Sequence, residues 1–176
     1  LQPCRFSFRR RAFYEMEKWL PERVAISIEG LRRTGKSVLQ EQLRDQFVET
    51  NRVGTFHYLF YSFDNDDYAK LFPSKILEEV LELYFSRVLN VHPQDVTQAV
   101  LICLDEIQNV RGWQAVVKKY YDLNPHIKFI LTGSSSLYLG DSAESLVGRV
   151  MDFSVGPLCF AEFLGLLGIS HLPTVG

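Results

Sequence analysis

The sequence predicts an α/β fold, a three-layer sandwich in which helices cover both faces of a central parallel sheet. Three short, nearly continuous apolar runs carry this prediction, and they occupy residues 24–28, 99–104 and 126–132. Strands that are buried on both faces have this composition, whereas strands with one face in water alternate. Segments whose apolar residues recur at helical spacing lie between the runs, so strands and helices alternate along the chain.

Length and composition predict a single globular domain. The chain has 176 residues, of which 47% are hydrophobic and 23% are charged, as is ordinary for a domain of this size. The net charge of −2 argues against a surface devoted to nucleic acid. The chain starts at Leu1 and stops just after an apolar stretch, so we expect it to be part of a longer protein.

The cysteines and the hydropathy pattern predict a cytoplasmic protein. Cys4, Cys103 and Cys159 are odd in number and far apart, and they show neither metal-binding nor disulfide spacing. No apolar run has the length of a membrane span, and no signal peptide is visible, so we expect no membrane association. The four histidines are scattered without ligand spacing and receive no role.

The most informative stretch is residues 30–37, GLRRTGKS, which fits the pattern G-x-x-x-x-G-K-[ST] of a phosphate-binding loop. Gly30 and Gly35 allow backbone torsions that turn successive N–H groups toward phosphate oxygens. Lys36 brings a positive charge to the β- and γ-phosphates, and Ser37 offers a hydroxyl to Mg²⁺. The predicted nucleotide-binding residues are Gly30, Leu31, Arg32, Arg33, Thr34, Gly35, Lys36, Ser37 and Val38, together with Ser134.

The context of this loop supports the prediction. An apolar run at residues 24–28 precedes it, as expected for a buried strand, and Val38, Leu39, Leu43 and Phe47 follow at helical spacing. The N-terminal dipole of such a helix favours an anion. An ordinary glycine-containing turn is the alternative, and it would have to match both the motif and its context by chance.

The second signature is the apolar run 99–104, which ends in Asp105 and Glu106. A buried parallel strand that delivers acids at its carboxyl end is typical of nucleoside-triphosphate hydrolases. Asp105 is predicted to hold Mg²⁺ through its water shell. Glu106 is predicted to act as the general base that polarises the attacking water.

Polar residues after later elements supply further candidates. Thr132 ends the run 126–132 and Ser134 follows it, and either side chain can reach the γ-phosphate, although a Gly/Ser loop with local hydrogen bonds explains them equally well. Arg149 is a catalytic candidate that can neutralise phosphate charge in its own subunit or in a neighbouring one. Pairing of Arg149 with a surface carboxylate is an equal alternative.

The remaining segments are expected to be structural. A helix over residues 9–20 either flanks the nucleotide base or caps the core, and its three arginines at 9–11 are expected to be solvated. A strand over 57–63 ends in the acidic residues 64–67, which favour a polar loop over a metal site. Helices are expected over 73–89, 113–121, 144–150 and 158–167, and a last strand over 151–155.

Five segments taken together resemble one family. GLRRTGKS, LICLDEIQNVRGWQAVVKKYYD, IKFILTGSSSLYL, AESLVGRV and PLCFAEFL are similar, in this order, to the prokaryotic AAA-like P-loop ATPases that carry an uncharacterised C-terminal domain. The resemblance runs from Arg9 to Leu167. It implies ATP hydrolysis with Mg²⁺, sheet order 5-1-4-3-2, a sensor segment at residues 132–136 and a Gly-Arg motif at Arg149. Leu31, Thr34 and Ser37 depart mildly from the family pattern.

These observations lead to two hypotheses of function. In the first, the domain binds ATP and hydrolyses it with Mg²⁺, and this drives or switches an attached C-terminal domain. In the second, the domain is a non-catalytic nucleotide switch or scaffold, although such a switch has no need of Glu106 beside Asp105. A partner, whether protein or nucleic acid, would act through the C-terminal region, and a homo-oligomer is required if Arg149 acts in trans.

Overall fold

A computed structural model of the chain describes residues 7–64, 71–134 and 146–169. Its helices are α1 (Arg11–Glu17), α2 (Lys36–Asn51), α3 (Ser74–Leu83), α4 (Trp113–Leu123) and α5 (Phe160–Leu166). Its strands are β1 (Ala25–Glu29), β2 (Tyr58–Ser62), β3 (Phe72–Pro73), β4 (Val100–Asp105), β5 (Val110–Arg111), β6 (Ile127–Gly133) and β7 (Val150–Ser154). Among these residues, no helix is both long and apolar enough to cross a membrane.

Five strands form the central sheet in the order β2-β4-β6-β1-β7, and every pairing is parallel. These strand numbers differ from the expected order 5-1-4-3-2, because the two-residue strands β3 and β5, which pair with each other outside this sheet, are included in the numbering. When the five long strands alone are numbered, they lie as 2-3-4-1-5, which is the expected sequence of neighbours read from the opposite edge. The carboxyl ends of all five strands therefore meet at one edge of the sheet.

Helices cover both faces of the sheet, so the described residues form three layers. Strands β4 and β6 are buried along their whole length, as their unbroken apolar runs predicted. Apolar side chains of α1 and α2 pack on one face, namely Phe13, Met16, Leu39, Leu43 and Phe47. Side chains of α3 and α4 pack on the other, including Leu77, Leu81, Trp113, Val116, Val117 and Tyr120.

Several elements differ from what the sequence suggested. Helix α1 covers only seven residues. The helical segment expected over 73–89 has nearly its full length, but it changes from the α-helix α3 to a π-helical turn over Tyr84–Val88. The helix expected over 144–150 lies partly outside the described residues, and residues 146–149 form a turn before β7. Both faces of the sheet are nevertheless covered as expected.

The expectation that all three N-terminal arginines are solvated is wrong for Arg10. Its guanidinium donates to the carbonyls of Thr34, Gly156 and Pro157 and to both carboxylate oxygens of Glu162, over 2.8 to 3.2 Å. The hydrogen bond from Arg10 lowers the pKa of Glu162. Arg10 therefore ties the segment before α1 to the loop after β1 and to α5.

Lys128 in β6 makes one pH-dependent contribution to stability. Its side chain is buried, and its Nζ donates to the carbonyls of Trp19 and Glu22 over 2.6 and 2.8 Å. Burial lowers the pKa of Lys128 to about 8, while the nearby Glu22 carboxylate opposes this shift. Between about pH 8 and the ordinary lysine pKa of 10.5, the unfolded chain thus binds more protons than the folded chain.

We expect the free energy of unfolding to rise with pH across this window, by an amount on the order of 1–3 kcal/mol. Urea unfolding between pH 7.5 and 10 would measure the rise, and Lys128→Met provides the comparison because other groups titrate equally in both proteins. In the Met variant, the free energy of unfolding should rise less with pH, because the contribution of Lys128 is absent. Parallel pH profiles of parent and variant would contradict the assignment.

Candidate functional site

The loop between β1 and α2 has the backbone that its glycines were expected to allow. Gly30 has φ of +156°, and a Cβ added to it would lie 2.2 Å from the carbonyl oxygen of Val155, so no other residue fits. Gly35 has φ of +90° and immediately precedes α2, which begins at Lys36 as predicted. The motif therefore forms a strand–loop–helix unit, and the N-terminus of α2 faces the loop.

Lys36 lies inside this loop rather than in solvent. Its side chain is 5% exposed, and its Nζ donates to the carbonyls of Gly30 and Leu31, each over 3.0 Å. The same Nζ lies 3.8 Å from Oε1 of Glu106. The predicted phosphate-binding cation and the predicted general base thus face each other across one short gap.

Asp105, the last residue of β4, accepts hydrogen bonds from hydroxyl groups on three different elements. Oδ1 accepts from Ser37 Oγ over 3.3 Å and from Thr132 Oγ1, and Oδ2 accepts from Ser62 Oγ over 3.1 Å. Ser37 lies in the first turn of α2, Thr132 lies in β6 and Ser62 ends β2. These bonds hold the carboxylate beside the phosphate loop, where oxygen ligands suit a hard divalent cation.

Glu106 follows β4 in a left-handed conformation, with φ of +52° and ψ of +41°. Its backbone N–H donates to Thr132 Oγ1 over 3.2 Å, and its Oε2 accepts from Nε2 of Gln108 over 2.6 Å. A non-glycine residue in this region costs about 1–2 kcal/mol, and such strain is often found at functional sites. The backbone thus sets the point at which the Glu106 side chain leaves the edge of the sheet.

A cavity of about 790 Å³, called the phosphate cavity below, lies between these groups. It is lined by Arg32, Arg33, Gly35, Lys36, Ser37, Val38, Asp64, Asp105 and Glu106. Arg32 donates from Nη2 to Oδ1 of Asp64 over 3.1 Å. The cavity combines cations, backbone N–H groups, a hydroxyl and carboxylates, which is a set of groups suited to a triphosphate with Mg²⁺.

A second, smaller cavity of about 260 Å³ adjoins the other side of the same loop. It shares Arg33, Gly35 and Val38 with the first, and it is completed mainly by apolar groups from the segment before α1, from α2 and from the segment around α5. Phe8, Leu39, Pro157, Leu158 and Leu166 are among them. A largely apolar cavity next to a phosphate site has the character of a binding site for a nucleobase.

Some residues of the loop support its shape instead of lining the phosphate cavity. Thr34 is buried, and its Oγ1 donates to the carbonyl of Leu31 over 2.9 Å. Leu31 itself is 65% exposed, so only its backbone carbonyl, which accepts from Lys36, takes part in the loop. Ser134 follows β6 and lines neither cavity. Thr132, two residues earlier and within β6, donates a hydrogen bond to Asp105.

The structure separates Arg149 from the phosphate cavity within one chain. Arg149 precedes β7, and its carbonyl accepts from the N–H of Ala25 at the start of β1, whereas the phosphate loop follows the far end of β1. Five strand residues span roughly 16 Å. The interpretation in which Arg149 neutralises phosphate in its own subunit is therefore wrong.

The alternative of a surface carboxylate is what the structure shows for Arg149. Its Nε donates to Oδ1 of Asp122 in α4 over 2.8 Å. The hydrogen bonds from Arg149 and Lys118 lower the pKa of Asp122. The side chains of Arg149 and Asp122 are each about one-third exposed.

Residues 135 and 136 of the expected sensor segment, and residues 65–67 of the acidic cluster, lie outside the described residues.

Two contacts of this site were missed from the sequence. Ser62 looks like an ordinary polar strand end, and its role depends on the pairing of β2 with β4, which sets Ser62 opposite Asp105. Gln108 follows the two acids in the chain but reaches Glu106 only because a 3₁₀ turn over Ile107–Asn109 folds it back. For the contact between Ser62 and Asp105, the available signal was a serine at the end of β2, the strand that pairs with the Asp105-bearing strand β4.

Residues 22–164 match the family model described as an AAA domain. Among curated relatives, an uncharacterised protein of Haemophilus influenzae is 30% identical over 138 residues, which is 78% of this chain and 32% of that protein. The uncharacterised protein MJ1637 of Methanocaldococcus jannaschii is 33% identical over 144 residues, 80% of this chain and 28% of that protein. The chain thus spans about a third of the length of the curated relatives that it matches.

Solved structures share the fold. The Walker-type ATPase of Pyrococcus abyssi superposes with a TM-score of 0.59 at 18% identity, covering 96% of this chain and 60% of that one. A DNA polymerase III gamma subunit-related protein of Thermotoga maritima gives a TM-score of 0.59 at 13% identity, covering 89% of this chain and 54% of that one. At these identities the likeness concerns the fold alone.

Proposed function

Because the chain belongs to the AAA domain family, we propose that it binds ATP with Mg²⁺ and hydrolyses the terminal phosphate. One observation carries the proposal. The phosphate loop with Lys36 and Ser37 and the strand end with Asp105 and Glu106 line the same cavity, although the two pairs are about 70 residues apart in the chain. In the proposed reaction, water forms a bond to the γ-phosphorus and gives its proton to Glu106, while ADP leaves with the bridging oxygen.

The roles of the individual residues follow from their contacts. The N–H groups of the loop and the Nζ of Lys36 would bind the β- and γ-phosphates, which would replace the carbonyls of Gly30 and Leu31 as partners of the lysine. Ser37 and Asp105 would hold Mg²⁺, and Thr132 and Ser62 orient the Asp105 carboxylate. When bound, Mg²⁺ neutralises charge on the phosphate oxygens.

The nucleoside would occupy the smaller cavity on the other side of the loop. Val38 and Gly35 line both cavities, so a phosphate chain bound along the loop leads directly into the apolar space. The guanidinium of Arg10 donates hydrogen bonds to Thr34, Gly156, Pro157 and Glu162. Arg10 therefore forms part of the wall of this cavity and is not free to bind phosphate. The preference for adenine rests on the family.

The coupled process lies in the longer protein. We propose that ATP turnover drives or switches the region that continues beyond this domain in relatives of about three times its length, and that a protein or nucleic-acid partner acts there. We also propose a cytoplasmic location, because the spacing of the cysteines in the sequence is typical neither of a disulfide framework nor of a metal site. An action of Arg149 on phosphate in a neighbouring copy would require a homo-oligomer.

The test is ATP hydrolysis by the full-length protein with Mg²⁺, measured as phosphate release over a range of protein concentrations beside a binding titration. We expect Mg²⁺-dependent turnover, and a rise in specific activity with concentration if Arg149 of one copy serves the site of another. Binding of ATP without turnover at any concentration would contradict hydrolysis and favour the nucleotide switch. Absence of binding would contradict the proposal altogether.

A further inference from the structure

Gln108 has one partner among its described contacts, and that partner is the predicted general base. Its Nε2 donates to Oε2 of Glu106 over 2.6 Å, a short bond of the kind that neutral donors form with carboxylates. Its Oε1 is buried and has no hydrogen-bond partner among residues 7–64, 71–134 and 146–169. The hydrogen bond to Glu106 is therefore the one side-chain hydrogen bond that the structure shows for Gln108 among the described residues.

The turn that presents this amide is firmly anchored. Ile107 is fully buried, and the side chain of Asn109 donates to the carbonyl of Phe63 over 2.9 Å, while its backbone N–H donates to the carbonyl of Glu106. The short strand β5 that follows pairs with β3. Gln108 is thus fixed relative to the sheet edge from both sides, so its bond can set the position of the Glu106 carboxylate.

The two oxygens of Glu106 have different partners. Oε2 accepts from Gln108, whereas Oε1 lies 3.8 Å from the Nζ of Lys36. If Lys36 turns to the phosphates of ATP, Oε1 loses its nearest cation and becomes the oxygen that faces the phosphate cavity. Within the described part of the chain, the hydrogen bond from Gln108 is then what opposes rotation of the carboxylate.

We infer that Gln108 is a positioning residue for hydrolysis, which holds Oε2 of Glu106 so that Oε1 faces the attacking water. The inference rests on the proposed function, since it assigns Gln108 a role only if Glu106 is the base. A general base must stand within hydrogen-bond reach of the proton that it takes, and small displacements cost large factors in rate. Gln108 acts through Glu106 and touches no reacting atom itself.

The experiment compares kcat and nucleotide affinity in the full-length protein. Gln108→Leu keeps the approximate size of the side chain and removes the donor, and we expect kcat to fall about 10- to 100-fold. The Kd for a non-hydrolysable ATP analogue should change less than about twofold, since no phosphate contact is lost. Gln98→Leu, an exposed glutamine that precedes β4 at the opposite edge of the sheet, is the matched control.

A double-mutant cycle separates positioning from a general structural effect. If Gln108 acts through Glu106, adding Gln108→Leu to Glu106→Gln should lower kcat by less than about twofold further. Gln108→Asn, which keeps the amide but retracts it by one methylene, should reproduce the loss if the leucine variant folds poorly.

Parental kcat in both Gln108 variants, or independent effects that multiply in the cycle, would overturn the inference while leaving the proposed hydrolysis intact. A parent protein that shows no turnover would overturn both.

Discussion

Replacement of Lys36 by alanine should weaken nucleotide binding by about 100-fold or more. Lys36 is the buried cation of the phosphate cavity, with a side chain that is 5% exposed. Hydrogen bonds from a charged donor contribute about 1.5–3 kcal/mol, and the lysine is expected to make several of them to the β- and γ-phosphates. A titration with a fluorescent ATP analogue, monitored by anisotropy, would measure the change in Kd.

The control for this variant is Lys118→Ala. Lys118 is a lysine of α4 that is 39% exposed and pairs with Asp122 four residues later, far from the phosphate loop. Its removal should leave Kd unchanged. Thermal denaturation must show that Lys36→Ala remains folded, because the carbonyl of Gly30 loses its lysine donor and that of Leu31 keeps only Thr34 Oγ1. An unaltered Kd in folded Lys36→Ala would mean that nucleotide does not bind along this loop.

The shape of the loop over residues 30–37 was predictable because most of its determinants are local. Gly35 has the left-handed torsion that the loop requires, and Lys36 follows at the first position of the helix, whereas Gly30 is also required by the close approach of the Val155 carbonyl. Asp105 was also predictable, because a buried parallel strand must end at the edge where the loop lies. The shape of the loop depends mainly on a few consecutive residues, and the position of Asp105 depends on the direction of one strand.

The misassigned residues depend on which elements become neighbours. Arg10 is 152 residues from its partner Glu162, and no periodicity in either segment indicates that pair. Ser62 becomes a partner of Asp105 only through the pairing of β2 with β4. The placement of Arg149 was in fact accessible from the sequence, because a residue that precedes a parallel strand lies at the edge opposite the phosphate loop.

Replacement of Glu106 by glutamine should stop turnover while ATP remains bound. The amide has the size of the carboxylate and still accepts from Gln108, so the loop, the 3₁₀ turn and the Asp105 contacts should persist. A glutamine cannot take a proton from water, and loss of a general base costs about 10²- to 10⁴-fold in rate. Single-turnover hydrolysis beside an ATP-binding titration would measure both quantities on one preparation.

The matched control is Glu79→Gln, which changes an exposed carboxylate of α3 that pairs with Lys75. It should hydrolyse ATP at the parental rate. If Glu106→Gln also keeps that rate, water is activated by another group, and the short bond between Gln108 and Glu106 then serves the fold instead of catalysis. If binding is lost together with turnover, the 3.8 Å approach of Glu106 to Lys36 organises the phosphate loop, and the carboxylate is needed before chemistry begins.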